Sequence, residues 1–269
     1  MNLTKRQKFV ATSLFLAGVS FFVQYVDVDY RYLAIVGFSL LTFFLSAWAL
    51  KDGLGKSATL LTLVLPVFFT AGIQLFYLGF ESSNFYLSLP EFLQMGIRGL
   101  FILGYAVGFY ALLLTGNIYN VATARTIQLL RAAHAVGFVL SLATCFFLFN
   151  WLLSLKLDFY VNTIGMGIIA IPLFSQGFWS IELEHRLSRE VLYLTASLGL
   201  IVAEFAAVLS FWPITVPVGS LALTSIVYIG LGLGQAKLQQ RLFEKTVREY
   251  LVVGLLVFSA MFLTARWGG

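Results

Sequence analysis

An apolar run from Val191 to Phe211, long enough to cross a bilayer, carries a single carboxylate, Glu204. A carboxylate at membrane depth is costly unless a donor or a cation meets it, so it marks either a working site or a structural lock. The matching cation is Arg98, five residues into the apolar run that begins near Leu93. At a helical rise of about 1.5 Å per residue, Glu204 lies ~20 Å from the inner end of its run, and Arg98 falls at a similar depth in the outer half. Depth therefore nominates Glu204 and Arg98 as an ion pair, in which Glu204 could accept a proton and Arg98 could recognise an anion. Gln74, Gln24 and Asn150 map to the same outer leaflet and complete a candidate polar cluster. The competing use of these residues is to lock helices together without binding anything.

A second candidate lies on the opposite side. In the segment QAKLQQRLFEKTVREY, residues 235–250, Lys237, Arg241, Lys245 and Arg248 recur at i, i+4, i+8 and i+11. On a continuous helix they form one cationic stripe, with Ala236, Phe243, Val247 and Tyr250 on another face. Such a helix rests on anionic lipid headgroups, docks an acidic partner, or simply anchors the topology. Arg131 and His134 are three residues apart, so they share a helical face near the inner end of their span and are candidates for headgroup contact. His134 hydrogen-bonding a neighbouring helix is the plainer reading. His185, in the charge cluster ELEHRLSRE at 182–190, reads as an exposed loop residue.

Several chemistries are excluded by what is missing. Two separated histidines cannot supply the paired axial ligands of a multi-haem cytochrome, and no span holds the lysine that a retinal protein needs. GLGLG, at residues 230–234, follows no strand and precedes no Lys-Ser/Thr pair, so it is not a phosphate loop. There is no HExxH, no G-x-S-x-G and no pair of intramembrane aspartates. Asp27-Val28-Asp29 resembles the acidic motif of membrane glycosyltransferases, but it sits in a link of only a few residues. The one cysteine, Cys145, lies in an apolar run and provides neither a disulfide framework nor a metal site. No cofactor or metal is expected, and the chain reads as non-enzymatic.

The elements that must position these residues follow from composition. Of the 269 residues, 60% are hydrophobic, 16% aromatic and 11% charged, and the mean hydropathy is +0.92. A soluble domain carries about a quarter of its residues as charges. At roughly 20 residues per helical span, the chain reads as one transmembrane domain, 1–269: an all-α, polytopic membrane bundle of about nine spans. They are expected near 9–25, 31–50, 57–80, 93–115, 129–153, 162–181, 191–211, 214–234 and 251–264. Pro66 and Pro172 are expected to kink the third and sixth spans.

Charge gives the orientation. With the N-terminus cytoplasmic, all of the 17 Lys and Arg except Arg31, Arg98, Lys156 and Arg266 fall on inner segments, a strong positive-inside bias. Nine spans then place the C-terminus outside. Trp48 and Trp179 fall at inner ends and Trp151, Trp212 and Trp267 at outer ends, where an indole N–H prefers the wet interface. Very short loops point to a prokaryotic cytoplasmic (inner) membrane. The basic balance, being placed by topology, does not imply nucleic acid; the expected partners are membrane lipid and other membrane proteins or further copies of the chain. Three functional readings follow. The first is a helix-bundle subunit or scaffold of a membrane assembly, the second a small secondary transporter or lipid-binding permease using Glu204 and Arg98, and the third a membrane sensor signalling through the basic helix 235–250.

Overall fold

The computed structural model describes residues 4–51, 60–123, 128–184 and 186–265. His185, Arg266 and Trp267 lie outside the described residues, as do Lys56 and Arg125 of the inner charge set. Among the described residues the chain is all-α. The helices are α1 (Lys5–Val23), α2 (Val28–Leu50), α3 (Val64–Glu81), the single turn α4 (Asn84–Leu87), α5 (Glu91–Ala122), α6 (Leu130–Ser154), α7 (Phe159–Glu182), α8 (Arg189–Leu209), α9 (Val216–Leu238) and α10 (Glu244–Thr264). A 3-10 turn, Leu60–Leu63, leads into α3.

The long helices among these fall where the spans were expected. Eight of them are long and apolar enough to cross a membrane, with Leu60–Glu81 counted as one. The exception is α1. Lys5, Arg6, Gln7 and Lys8 occupy its first turn, which leaves an apolar stretch, Phe9 to Val23, of only ~22 Å against a hydrocarbon core of about 30 Å. Conversely α5 is 32 residues long and continues to Ala122, past the expected end of the fourth span near 115.

One helix-level expectation needs correction. Pro66 is not at mid-span: it is the third residue of α3, within the first turn, where a missing N–H breaks no intrahelical bond. The 3-10 turn Leu60–Leu63 runs directly into this first turn, so Pro66 lies near the start of the third helix and not at its middle. Pro217 likewise sits at the start of α9. Pro172 does lie inside α7.

The chain divides into two compact units, residues 1–140 and 141–269, the boundary falling within α6. In the first, α1, α2, α3 and α5 pack around an aromatic core. Tyr105 of α5 is buried against Phe69 of α3 and Phe38 of α2, with ring centroids 6.0 and 5.8 Å away, and its hydroxyl pairs with Thr70 Oγ1 at 3.0 Å. Gly108 permits this approach, since a Cβ there would lie 2.7 Å from Phe69 Cζ. The second unit is built on α7, α8 and α9. Phe174 and Phe178 stack along α7, and Gly177 faces Leu231 of α9 so closely that a Cβ would come within 2.5 Å of it. Small residues thus set helix spacing in both units, as membrane packing favours. The final helix, α10, buries only Gly254 and Met261.

Candidate functional site

The densest polar arrangement in the first unit forms where the start of α2, the end of α3 and the first turns of α5 meet. Arg31 is the fourth residue of α2, Glu81 the last of α3, and Arg98 projects from the third turn of α5. The Glu81 carboxylate divides its oxygens between two cations. Oε2 receives Arg31 Nη1 at 2.5 Å and Oε1 receives Arg98 Nη2 at 2.9 Å, with the side chains only 12–21% exposed. Arg31 Nε also donates to the Val26 carbonyl at 3.0 Å, and Arg98 Nε donates to the Tyr77 hydroxyl at 3.3 Å. The Arg98 guanidinium lies 4.7 Å from the centroid of the Tyr25 ring, a cation–π distance. Tyr77 pairs with the Tyr86 hydroxyl at 3.2 Å, and Tyr86 donates to the Gln94 carbonyl at 3.3 Å.

Charge and geometry together make this a lock. One carboxylate facing two guanidiniums leaves a net charge of +1, and the two guanidiniums make four hydrogen bonds to Glu81, Val26 and Tyr77. Such a cluster ties α2, α3, α5 and the α1–α2 link into one end of the unit. Within the first unit, the carboxylate that Arg98 meets is Glu81. Depth alone had matched Arg98 with Glu204, while Glu81 read as part of a polar link. The missed signal was available, because Glu81 follows the apolar run of α3 directly, on the same outer side that holds Arg31 and Arg98.

Glu204 belongs to the second unit, on the exposed face of α8. Its neighbours on that face are apolar and exposed, Leu200, Ile201, Phe205 and Val208 among them, and the described residues give its side chain no hydrogen bond or ion pair. Gln74 is buried and donates from Nε2 to Ser20 Oγ at 2.5 Å, joining α3 to α1. Gln24 is buried at the end of α1 with its Oε1 unpartnered among the described residues. Asn150 is half-buried on α6. Within the first unit the expected polar set thus resolves into a lock around Arg98, a Gln74–Ser20 bond and a buried Gln24.

The basic segment also differs from its expected form. Residues 235–250 are not one helix. The helix α9 ends at Leu238, Gln240 adopts a left-handed backbone with φ 55°, and α10 begins at Glu244 after an extended Phe243. The Arg241 N–H returns to the Ala236 carbonyl at 2.8 Å, closing a turn. The four cations are consequently split. Lys237, in the last turn of α9, pairs with Glu190 of α8 at 3.0 Å, Arg241 lies in the turn, and Lys245 and Arg248 start α10; all four are exposed. No single cationic stripe runs through them, because the Gln239–Gln240 break resets the helical phase. Arg131 is exposed at the start of α6, and His134 is half-buried with its ring 5.7 Å from that of Tyr119. Of the tryptophans, Trp48 is exposed with Lys8 5.8 Å from its ring, whereas Trp179 is only 1% exposed. Its indole N–H donates to the Glu184 carbonyl at 2.9 Å, so it sits at the end of α7 as expected but with its ring buried in the core.

A family described as a protein of unknown function, DUF5656, matches residues 16–264. No curated protein and no solved structure matches the chain.

Proposed function

Because the chain belongs to the DUF5656 family, whose function is unknown, its role must be argued from its own surface, and we propose that it is a non-enzymatic helix-bundle subunit, or scaffold, of a larger membrane assembly. The observation that carries this reading is Glu204, an acid with no hydrogen bond or ion pair among the described residues, set between exposed Leu200 and Val208 on α8. A carboxylate on a face of that kind is expensive against lipid, by about 2.5–3.5 kcal/mol on insertion scales. A partner helix that donates a hydrogen bond or a cation removes that cost, and its apolar side chains pack against the rest of the face. The proposed setting is a prokaryotic cytoplasmic membrane that α1 also crosses, accommodated by local thinning of the bilayer, which places the N-terminus inside and the C-terminus outside, as the charge distribution favours.

Two other roles are less well supported. A transporter using Glu204 with Arg98 needs an Arg98 that is free to respond, and Glu81 already holds it. A sensor needs a continuous basic helix over 235–250, and the turn at Gln240 divides that segment.

The subunit reading predicts that the protein extracted in a mild detergent migrates as a complex larger than one chain. Glu204→Leu should weaken that complex by roughly three- to thirtyfold, the range for one interhelical hydrogen bond in a membrane, measured by native electrophoresis across a dilution series. A single-chain species for the parent protein contradicts the proposal. So does a folded Glu204→Gln variant that keeps its assembly state and loses solute uptake or proton coupling.

A further inference from the structure

Within the second unit a groove of about 360 Å³ runs between α8, α9 and α10. Its walls are aliphatic and aromatic, with Leu198 and Ile201 from α8, Ile226 and Leu233 from α9, and Phe258 from α10. Two further wall positions on α9 are glycines, Gly230 and Gly234, whose missing side chains admit Leu198 and the Phe178 ring against α9. The charged side chain among the lining residues is Lys237, at the end of α9. Beside it, Glu190 from the first turn of α8 completes a pair at 3.0 Å in which both side chains are 52% exposed. A pair so open to solvent contributes little to folding, and both of its charges remain accessible to a ligand.

Length and polarity identify the occupant. From Ile226 to Lys237 the α9 wall rises ~16 Å, about half of a hydrocarbon core of roughly 30 Å, which is the depth of one leaflet. An apolar slot one leaflet deep, open at a membrane-facing surface and ending at a charged mouth, has the shape of a single phospholipid chain with its headgroup at the end. The mouth holds one cation and one anion, so its complement is dipolar. We propose that this groove binds one acyl chain of a zwitterionic aminophospholipid, its phosphate on Lys237 and its ammonium on Glu190. A purely anionic headgroup would meet the Glu190 carboxylate and pay for it in affinity.

The test uses the full chain in liposomes with phosphatidylethanolamine that carries a diazirine on its acyl chain, followed by peptide mapping after irradiation. Label is expected to concentrate on α8 between Leu194 and Phe205 and on α9 between Ile226 and Leu233, several-fold above the exposed apolar face of α2. Phosphatidylglycerol with the same tag should label these peptides more weakly. Ile201→Trp, at a partly exposed wall position, should remove the enrichment by filling the slot. Lys237→Gln and Glu190→Gln should each lower it about fivefold, in line with the loss of a charge-assisted hydrogen bond. Label no denser on the groove than on α2 overturns the proposal. Equal labelling by phosphatidylglycerol, with Glu190→Gln having no effect, overturns the headgroup assignment. The mapping on the unmodified chain decides the acyl-chain site even where a variant fails to fold.

Discussion

Glu81→Gln is expected to destabilise the protein by about 3 kcal/mol, the low end of the cost of leaving a buried charge without its partner. The substitution is nearly isosteric, so packing is conserved and only charge changes. In its place two guanidiniums, Arg31 and Arg98, confront each other with no anion between them, at positions where the side chains are 12% and 21% exposed. Arg98→Gln is expected to cost clearly less, because Glu81 keeps Arg31 and the remaining pair is neutral. The asymmetry is the diagnostic feature. Thermal unfolding in detergent, followed by tryptophan fluorescence, should rank the variants as Glu81→Gln well below Arg98→Gln and Arg98→Gln below the parent. Equal effects of the two substitutions would mean that the cluster is not organised around the carboxylate.

The second large effect is expected in the other unit. Trp179→Ala should cost about 3–5 kcal/mol, as for other aromatic truncations in a closed core. Trp179 is 1% exposed, and its indole N–H ties the chain beyond α7 back to the helix by donating to the Glu184 carbonyl. That region includes Leu183, a residue without the freedom of glycine held at φ 54°, so the indole bond also fixes a turn that the backbone does not favour. Trp179→Phe should recover most of the packing and lose the hydrogen bond, costing about 1–2 kcal/mol. An interfacial tryptophan would show the reverse pattern, with Phe and Ala nearly alike and both mild. Parallel unfolding curves for Trp179→Phe and Trp179→Ala would therefore contradict its place in the core.

The comparison of chain and fold separates what periodicity encodes from what it does not. Apolar runs located the long helices, because a span of hydrocarbon leaves few alternatives to a helix of about 20 residues. The start of α7 at Phe159 and the end of α8 at Leu209 lie within a few residues of the positions that the runs suggest. Rotation about the helix axis is not encoded in a run that is apolar on every side. This is why depth paired Arg98 with Glu204, when Arg98 instead turns towards Glu81. Pro66 illustrates a different gap, since a proline in an apolar stretch marks a helix start as readily as a kink. The i, i+4, i+8 spacing of Lys237, Arg241 and Lys245 has helical period, yet Gln239 and Gln240 interrupt it with a left-handed turn. Neither glutamine signals such a break by propensity. The place of Trp179 at a helix end was legible, but its burial was not, because tryptophan serves both interfaces and cores, and the acceptor for its N–H, a backbone carbonyl beyond the helix end, leaves no trace in the sequence.

The central claim is that the Glu204 face of α8 is covered by another membrane helix, and its most direct test is cysteine cross-linking in native membranes. The one native cysteine, Cys145, is fully buried, so introduced thiols dominate the reaction. Leu200→Cys and Val208→Cys lie one turn either side of Glu204, and Leu33→Cys on exposed α2 serves as the reference. The two α8 positions are expected to form intermolecular cross-links, to a second copy or to a distinct membrane protein, and adding Glu204→Leu should suppress them. Cross-linking at Leu200 and Val208 that stays at the level of Leu33, or that is indifferent to Glu204→Leu, would contradict it.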